Sequence, residues 1–217
     1  SGIFRLNRSF LNQLGLNINN IDPRNIKIYG NGGNMLPLRN SVEYPVDPIE
    51  NAIKVYGEDD GVFNNSDYIL FYAQGPNAYN SDSNTNLNVY SDKTAYFINI
   101  SSSPGKRITE NVQPENPADI IVDAYTAYKY HELDEYNIAK IGRRWFGDRF
   151  DFDSDQTFEF TFPNLRTSEP INLRVYTAAV SEISTSMSIE VNNQEVSNLN
   201  YTSINDPILV SGDYFTG

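Results

Sequence analysis

The chain has no cysteine and a single histidine, His131, in 217 residues. The first absence removes disulfides, thiolate zinc sites and a cysteine nucleophile together. The second removes any metal site built on two imidazoles. Neither assigns a compartment, because many bacterial extracytoplasmic proteins also lack cysteine. No run of four Lys or Arg occurs, and 16 basic against 28 acidic residues leave a formal charge of −12. Such a surface repels phosphate backbones, which excludes nucleic acid and anionic membranes as main partners. No stretch approaches the roughly 18 apolar residues that span a bilayer, so no transmembrane segment is expected. No basic-then-apolar leader opens the chain, so a secreted form is expected to have lost its signal or to be internal to a longer protein. No Gly-x-Ser-x-Gly elbow advertises a serine nucleophile.

What is present favours strands. Hydrophobic residues make up 39% and aromatics 13%, with Tyr and Phe at 15 and 12 against one Trp. That is enough apolar material for a packed interior, and the Tyr/Phe mixture suits pleated surfaces. Helical periodicity occurs near the start, over Ser9–Leu14, with Asn7 or Ser9 placed to cap it and Gly15 to end it. Ile3, Phe4 and Leu6 read as a first strand. Period-two segments follow at 25–29, 52–56 and 68–73, the last apolar almost throughout, as for a strand covered on both faces. A hairpin is expected between 87–90 and 95–100, and a long strand over 120–133. Further strands are expected at 157–162, 171–180 and 208–210, with a hairpin of 186–191 and 194–196 turning at Asn192-Asn193. The expected fold is all-β and mainly antiparallel, with one short helix near the N-terminus. It divides into two β-rich domains, 1–140 and 141–217. The second reads as a β-sandwich with fewer strands than such a domain needs, hence incomplete.

Several groups could carry chemistry. Asp59, Asp60, Asn64, Asn65 and Asp67 place hard oxygen donors within nine residues around Gly61. Two readings stay open: a weak calcium site, or Asp and Asn building turns. The spacing is not that of an EF-hand, since Leu70 stands at the twelfth position. Gly30-Asn31-Gly32-Gly33 would cradle phosphate only ahead of a helix, and Met35-Leu36-Pro37-Leu38 does not start one. Asp151, Asp153 and Asp155 offer alternate carboxylates or form a solvated loop. His131, beside Glu132 and Asp134, reads as a structural hydrogen-bonding residue rather than a base. Trp145 and Phe146, between glycines, read as a plug at a domain junction or as a sugar-stacking platform.

Taken in order, these segments resemble a known family. Gly2-Ile3-Phe4-Arg5-Leu6, then Asp22–Gly33, then Glu50-Asn51-Ala52 and Gly57–Phe63, resemble the opening of the type IX secretion system sortase (PorU type). Asp67–Pro76, Tyr130-His131-Glu132 and Gly142–Asp148 continue the series along nearly the whole chain. The resemblance implies an outer-membrane-associated, surface-facing protein of a Bacteroidetes-type bacterium. It implies a gingipain-like peptidase domain downstream, with a His–Cys pair that removes the C-terminal sorting signal of cargo and joins the new terminus to an anionic lipopolysaccharide. It implies an outer-membrane barrel and other surface-complex proteins as partners, and a second sandwich that continues past Gly217. No catalytic residue of that family falls on this chain, and no cofactor is expected beyond the possible calcium. The leading expectation is a non-catalytic scaffold. A prodomain-like inhibitor of the peptidase and a carbohydrate-binding or adhesive module are the alternatives.

Overall fold

A computed structural model describes residues 1–113, 117–138 and 144–204. The fold is all-β with antiparallel sheets and one short α-helix near the N-terminus. Among the described residues no helix is long and apolar enough to cross a membrane. The chain divides into two compact units, Ser1–Ala124 and a second that begins at Tyr125, ahead of the boundary expected at 140. That boundary and the expected strand at 208–210 lie outside the described residues.

The first unit opens with β1 (Gly2–Asn7), which runs directly into α1 (Arg8–Gln13). Asn7 has extended dihedrals and its side chain accepts the amide of Phe10, so the chain turns from strand to helix at a ready N-cap. Gly15 ends the helix with φ +83°, a left-handed value that costs glycine nothing. Leu11 is the helix's buried residue. A 3-10 turn, Pro23–Asn25, capped by Asp22, leads to β2 (Ile26–Tyr29). Then follow β3 (Glu50–Asn51), β4 (Lys54–Tyr56), β5 (Tyr68–Ala73) and β6 (Phe97–Ile100).

These strands make two three-stranded sheets, ordered β1-β5-β4 and β3-β2-β6. Leu6, Val55, Ile69 and Phe71 from the first and Ile26 and Ile28 from the second belong to one core, filled further by Leu11, Ile18, Ile53 and Phe63. Tyr96 packs against it; its hydroxyl both accepts the Gln74 amide at 2.7 Å and donates to the Gln74 carbonyl. The same ring explains the first glycine of the Gly30–Gly33 loop. A Cβ on Gly30 would sit 2.5 Å from the Tyr96 ring.

Two expectations for this unit are corrected. β5 is not covered on both faces: Ile69, Phe71 and Ala73 are buried, whereas Tyr72 is 59% exposed. Its unbroken apolar run contains tyrosines, whose rings tolerate water on one side. The hairpin between 87–90 and 95–100 does not form. β6 pairs instead with β2, matching Ile26 to Ile100 and Ile28 to Ile98. Residues 87–90 are held by a side chain, since the Asn88 amide donates to the Gly33 carbonyl at 2.8 Å.

In the described part of the second unit the assigned strands are those of one hairpin, β7 (Thr185–Val191) and β8 (Gln194–Tyr201), besides an isolated antiparallel bridge between Tyr136 and Phe146. Asn192 and Asn193 take φ +52° and +63°, the positive values a two-residue turn demands. The strands expected at 157–162 and 171–180 are not assigned, and the same holds for 120–133 at the junction of the units. Their alternating pattern is real, but a strand exists only when a neighbour takes up its backbone groups.

Candidate functional site

Two places gather polar side chains, one in each unit. In the first, β4 gives way at Gly57 (φ +88°) to a 3-10 turn, Glu58–Asp60, which Gly61 ends with φ +76°. A Cβ on Gly57 would stand 2.1 Å from Asp67 Oδ1, so glycine is required for space as well as for conformation. Asp67 is buried, and its Oδ2 accepts the Asn64 amide at 2.6 Å while Oδ1 accepts the Ser66 hydroxyl at 3.2 Å. Asp60 accepts the Val62 amide at 2.9 Å on one oxygen and the Asn64 side-chain amide at 2.9 Å on the other. Phe63, fully buried, anchors the loop to the core, and its carbonyl accepts the Arg8 guanidinium.

The five expected calcium ligands are therefore divided. Asp60, Asn64 and Asp67 hydrogen-bond within the loop, while Asp59 and Asn65 face solvent. Calcium takes six to eight oxygens. Among the described residues no three His, Cys, Asp or Glu side chains are grouped to hold a metal. The hydrogen bonds of Asp60 and Asp67 within the loop fix the entry to β5.

The second place is built around His131. The amides of Glu135 and Tyr136 donate to the Phe146 carbonyl at 3.0 and 2.8 Å, and the Phe146 amide returns to Tyr136 at 2.8 Å. Gly147 lies so close to Leu133 that a Cβ would meet its Cβ at 2.5 Å. This approach brings Asp148 to His131, Oδ2 to Nε2 at 2.7 Å. An ionised carboxylate only accepts, so Nε2 carries the hydrogen. The imidazole also packs on Phe158, ring centres 4.5 Å apart. Beside it opens a cleft of about 500 Å³ lined by Lys129, Tyr130, His131, Phe158, Glu159 and Phe160, with Thr157 and Thr161. Nearby, burial first and the Glu132 charge second push the Asp134 carboxyl above the ordinary aspartate range.

Among the described residues, the ring's hydrogen-bonding partner is Asp148, and no hydroxyl is bonded to either nitrogen. The arrangement locks the imidazole and offers a wall of aromatic faces and opposite charges. The His131 expectation named Glu132 and Asp134 as neighbours, whereas the partner is Asp148, visible in the sequence only as the residue after a glycine. Asp151 pairs with Arg149 at 2.7 Å. Trp145 is 43% exposed; Gly142 and Arg143 before it in the sequence lie outside the described residues.

Sequence reasoning passed over Arg107. Its Nε meets Glu58 Oε2 at 2.9 Å, and its Nη2 donates to the carbonyls of Pro23 and Arg24 at 3.0 and 2.8 Å. Nothing in the irregular stretch around it signals that role. Compared with protein-family models, with curated proteins and with solved structures, the chain finds no match.

Proposed function

We propose that this chain is the non-catalytic, extracytoplasmic scaffold that precedes the peptidase domain of a type IX secretion sortase, the enzyme that removes C-terminal sorting signals from cargo and attaches the cargo to the cell surface. The ordered series of motifs from Gly2 to Asp148 suggests the family. The observation that carries the scaffold role is the exposure of apolar side chains in the second unit: Tyr125, Ile171 and Tyr176 are 86%, 65% and 61% exposed. Large exposed apolar surface marks a place where other polypeptide settles. On this reading the peptidase region of the same protein covers it, and the outer-membrane barrel and its surface partners dock on the assembled whole.

The coding sequence beyond Gly217 is the first test, and a gingipain-like domain with its His–Cys pair is expected there. The second is to mix this chain with that domain. A stable complex, with amide exchange slowed in 157–161 and 171–177 and peptide cleavage undiminished, supports the scaffold. Inhibition of cleavage replaces it with the prodomain role. No complex refutes both.

A further inference from the structure

The outward face of the β1-β5-β4 sheet carries a chemistry that neither the core nor the scaffold role uses. The antiparallel register sets Arg5, Leu70 and Lys54 in one row across the three strands and Asn7, Tyr68 and Tyr56 in the next, with Ile3 beside Tyr72 in a third. The opposite face is the core. On the outer one, the Arg5 guanidinium lies 4.0 Å from the centre of the Tyr68 ring. Tyr68 stacks on Tyr56 at 4.6 Å and 20°, and the Lys54 ammonium stands 5.9 Å from Tyr56. Cation, ring, ring and cation thus form a continuous ladder, and each cation is attracted by the ring beside it. Ile3 and Tyr72, 74% and 59% exposed, flank it.

The charge is out of character for the molecule. Acids outnumber bases 28 to 16, yet among the described residues no carboxylate pairs with Arg5. Lys54 pairs with Glu110 at 3.2 Å, but that carboxylate is 88% exposed. Such a pair is weak and easily exchanged. Arg5 is exposed, so its guanidinium over the Tyr68 ring keeps N–H donors open for a carboxylate.

We propose that this face docks an acidic polypeptide segment in polyproline conformation. Arg5 and Lys54 stand two strand spacings apart, about 9.5 Å. A polyproline helix returns to the same side every third residue, about 9.3 Å along. Carboxylates three apart therefore meet both cations, and the proline rings between them lie on Leu70 and the tyrosines, as aromatic platforms take such helices elsewhere. A second copy of this chain is the poorer occupant, because it brings a charge of −12 to a chain of −12.

The test titrates the whole chain into a labelled (Glu-Pro-Pro)4 peptide and reads anisotropy at an ionic strength of about 0.01 M, where charges act over roughly 30 Å. Saturable binding is expected, weakened at least about tenfold by Arg5→Glu through like-charge repulsion and about threefold by Tyr72→Ser through lost ring contact. Lys93→Glu, at an exposed position where the Lys93 amide donates to the Ser91 hydroxyl at 3.1 Å, serves as the control and should bind as the parent does. Thermal melts establish that each variant folds. Should Arg5→Glu not fold, the pair Ile3→Ser and Tyr72→Ser carries the test. Absence of saturable binding, equal binding of (Lys-Pro-Pro)4, or indifference to Arg5→Glu and to the serine pair overturns the proposal. So does saturation of the face by a sulfated oligosaccharide but not by the peptide, or self-association that Arg5→Glu abolishes.

Discussion

Replacing Arg107 by methionine keeps the apolar stem and removes the guanidinium. In the protein that group reaches three places at once. It pairs with Glu58 at 2.9 Å, donates to the Pro23 and Arg24 carbonyls at 3.0 and 2.8 Å, and makes longer contacts to the carbonyls of Lys106 and Ile26 at 3.2 and 3.4 Å. The two carbonyls at 3.0 and 2.8 Å belong to the 3-10 turn that launches β2, and Glu58 belongs to the turn that follows β4. Hydrogen bonds to charged groups contribute about 1.5–3 kcal/mol each when shielded. Here both side chains of the pair are about one-fifth exposed, and two of the five contacts are long. A total of about 2–4 kcal/mol is the reasonable figure after those discounts. Against a domain stability of about 5–15 kcal/mol, that loss lowers the melting temperature by roughly 6–16 °C. The assay is thermal unfolding, read together with amide exchange at Gly105, whose N–H donates to the Arg24 carbonyl at 2.9 Å. Arg107→Lys should recover less than half, since one ammonium cannot reach both turns. Stability within about 0.5 kcal/mol of the parent for Arg107→Met, the size of an ordinary surface change, would refute the reasoning.

Three further outcomes follow from the same structure. Phe63→Ala empties a fully buried site and should cost about 3–5 kcal/mol in chemical denaturation, with the midpoint shifted and the slope kept. Asp134→Asn probes the carboxyl whose burial raises its pKa. The folded state holds that proton more tightly than the unfolded chain, so the penalty is absent below the ordinary aspartate range, develops as pH rises through the raised value, and is complete above it. The variant should therefore melt higher than the parent at neutral pH, and the difference should fade toward acid; a difference independent of pH contradicts this. Millimolar calcium should leave the melting temperature unchanged, because Asp60 and Asp67 already serve the loop; a rise of several degrees that Asp59→Asn abolishes supports the metal reading instead.

How much of this was legible beforehand depends on the reach of each interaction. α1, the 68–73 strand and the Asn192-Asn193 turn were read correctly because their signals are local: a cap at Asn7, an apolar run, two residues tolerant of positive φ. The partner of β6 was not, because pairing Ile28 with Ile98 is decided by which face closes the core, and sequence proximity misleadingly favoured residues 87–90. The acidic loop was legible as a loop and ambiguous as a ligand set, since the same oxygens suit an ion or an amide. Contacts such as that from the Asn64 amide to Asp67 at 2.6 Å and from the Val62 amide to Asp60 at 2.9 Å tell how two of them are used. His131 stood out for being alone, while Asp148 and Arg107 stood out for nothing, because their roles arise from backbone approaches across 17 and more than 80 residues. The segments 157–162 and 171–180 carry the complementary lesson. Alternation states which side chains prefer burial, but it does not supply the surface that buries them. Where a pattern is strong and no strand is assigned, as at 157–162 and 171–180, no neighbour among the described residues takes up the backbone groups in a ladder.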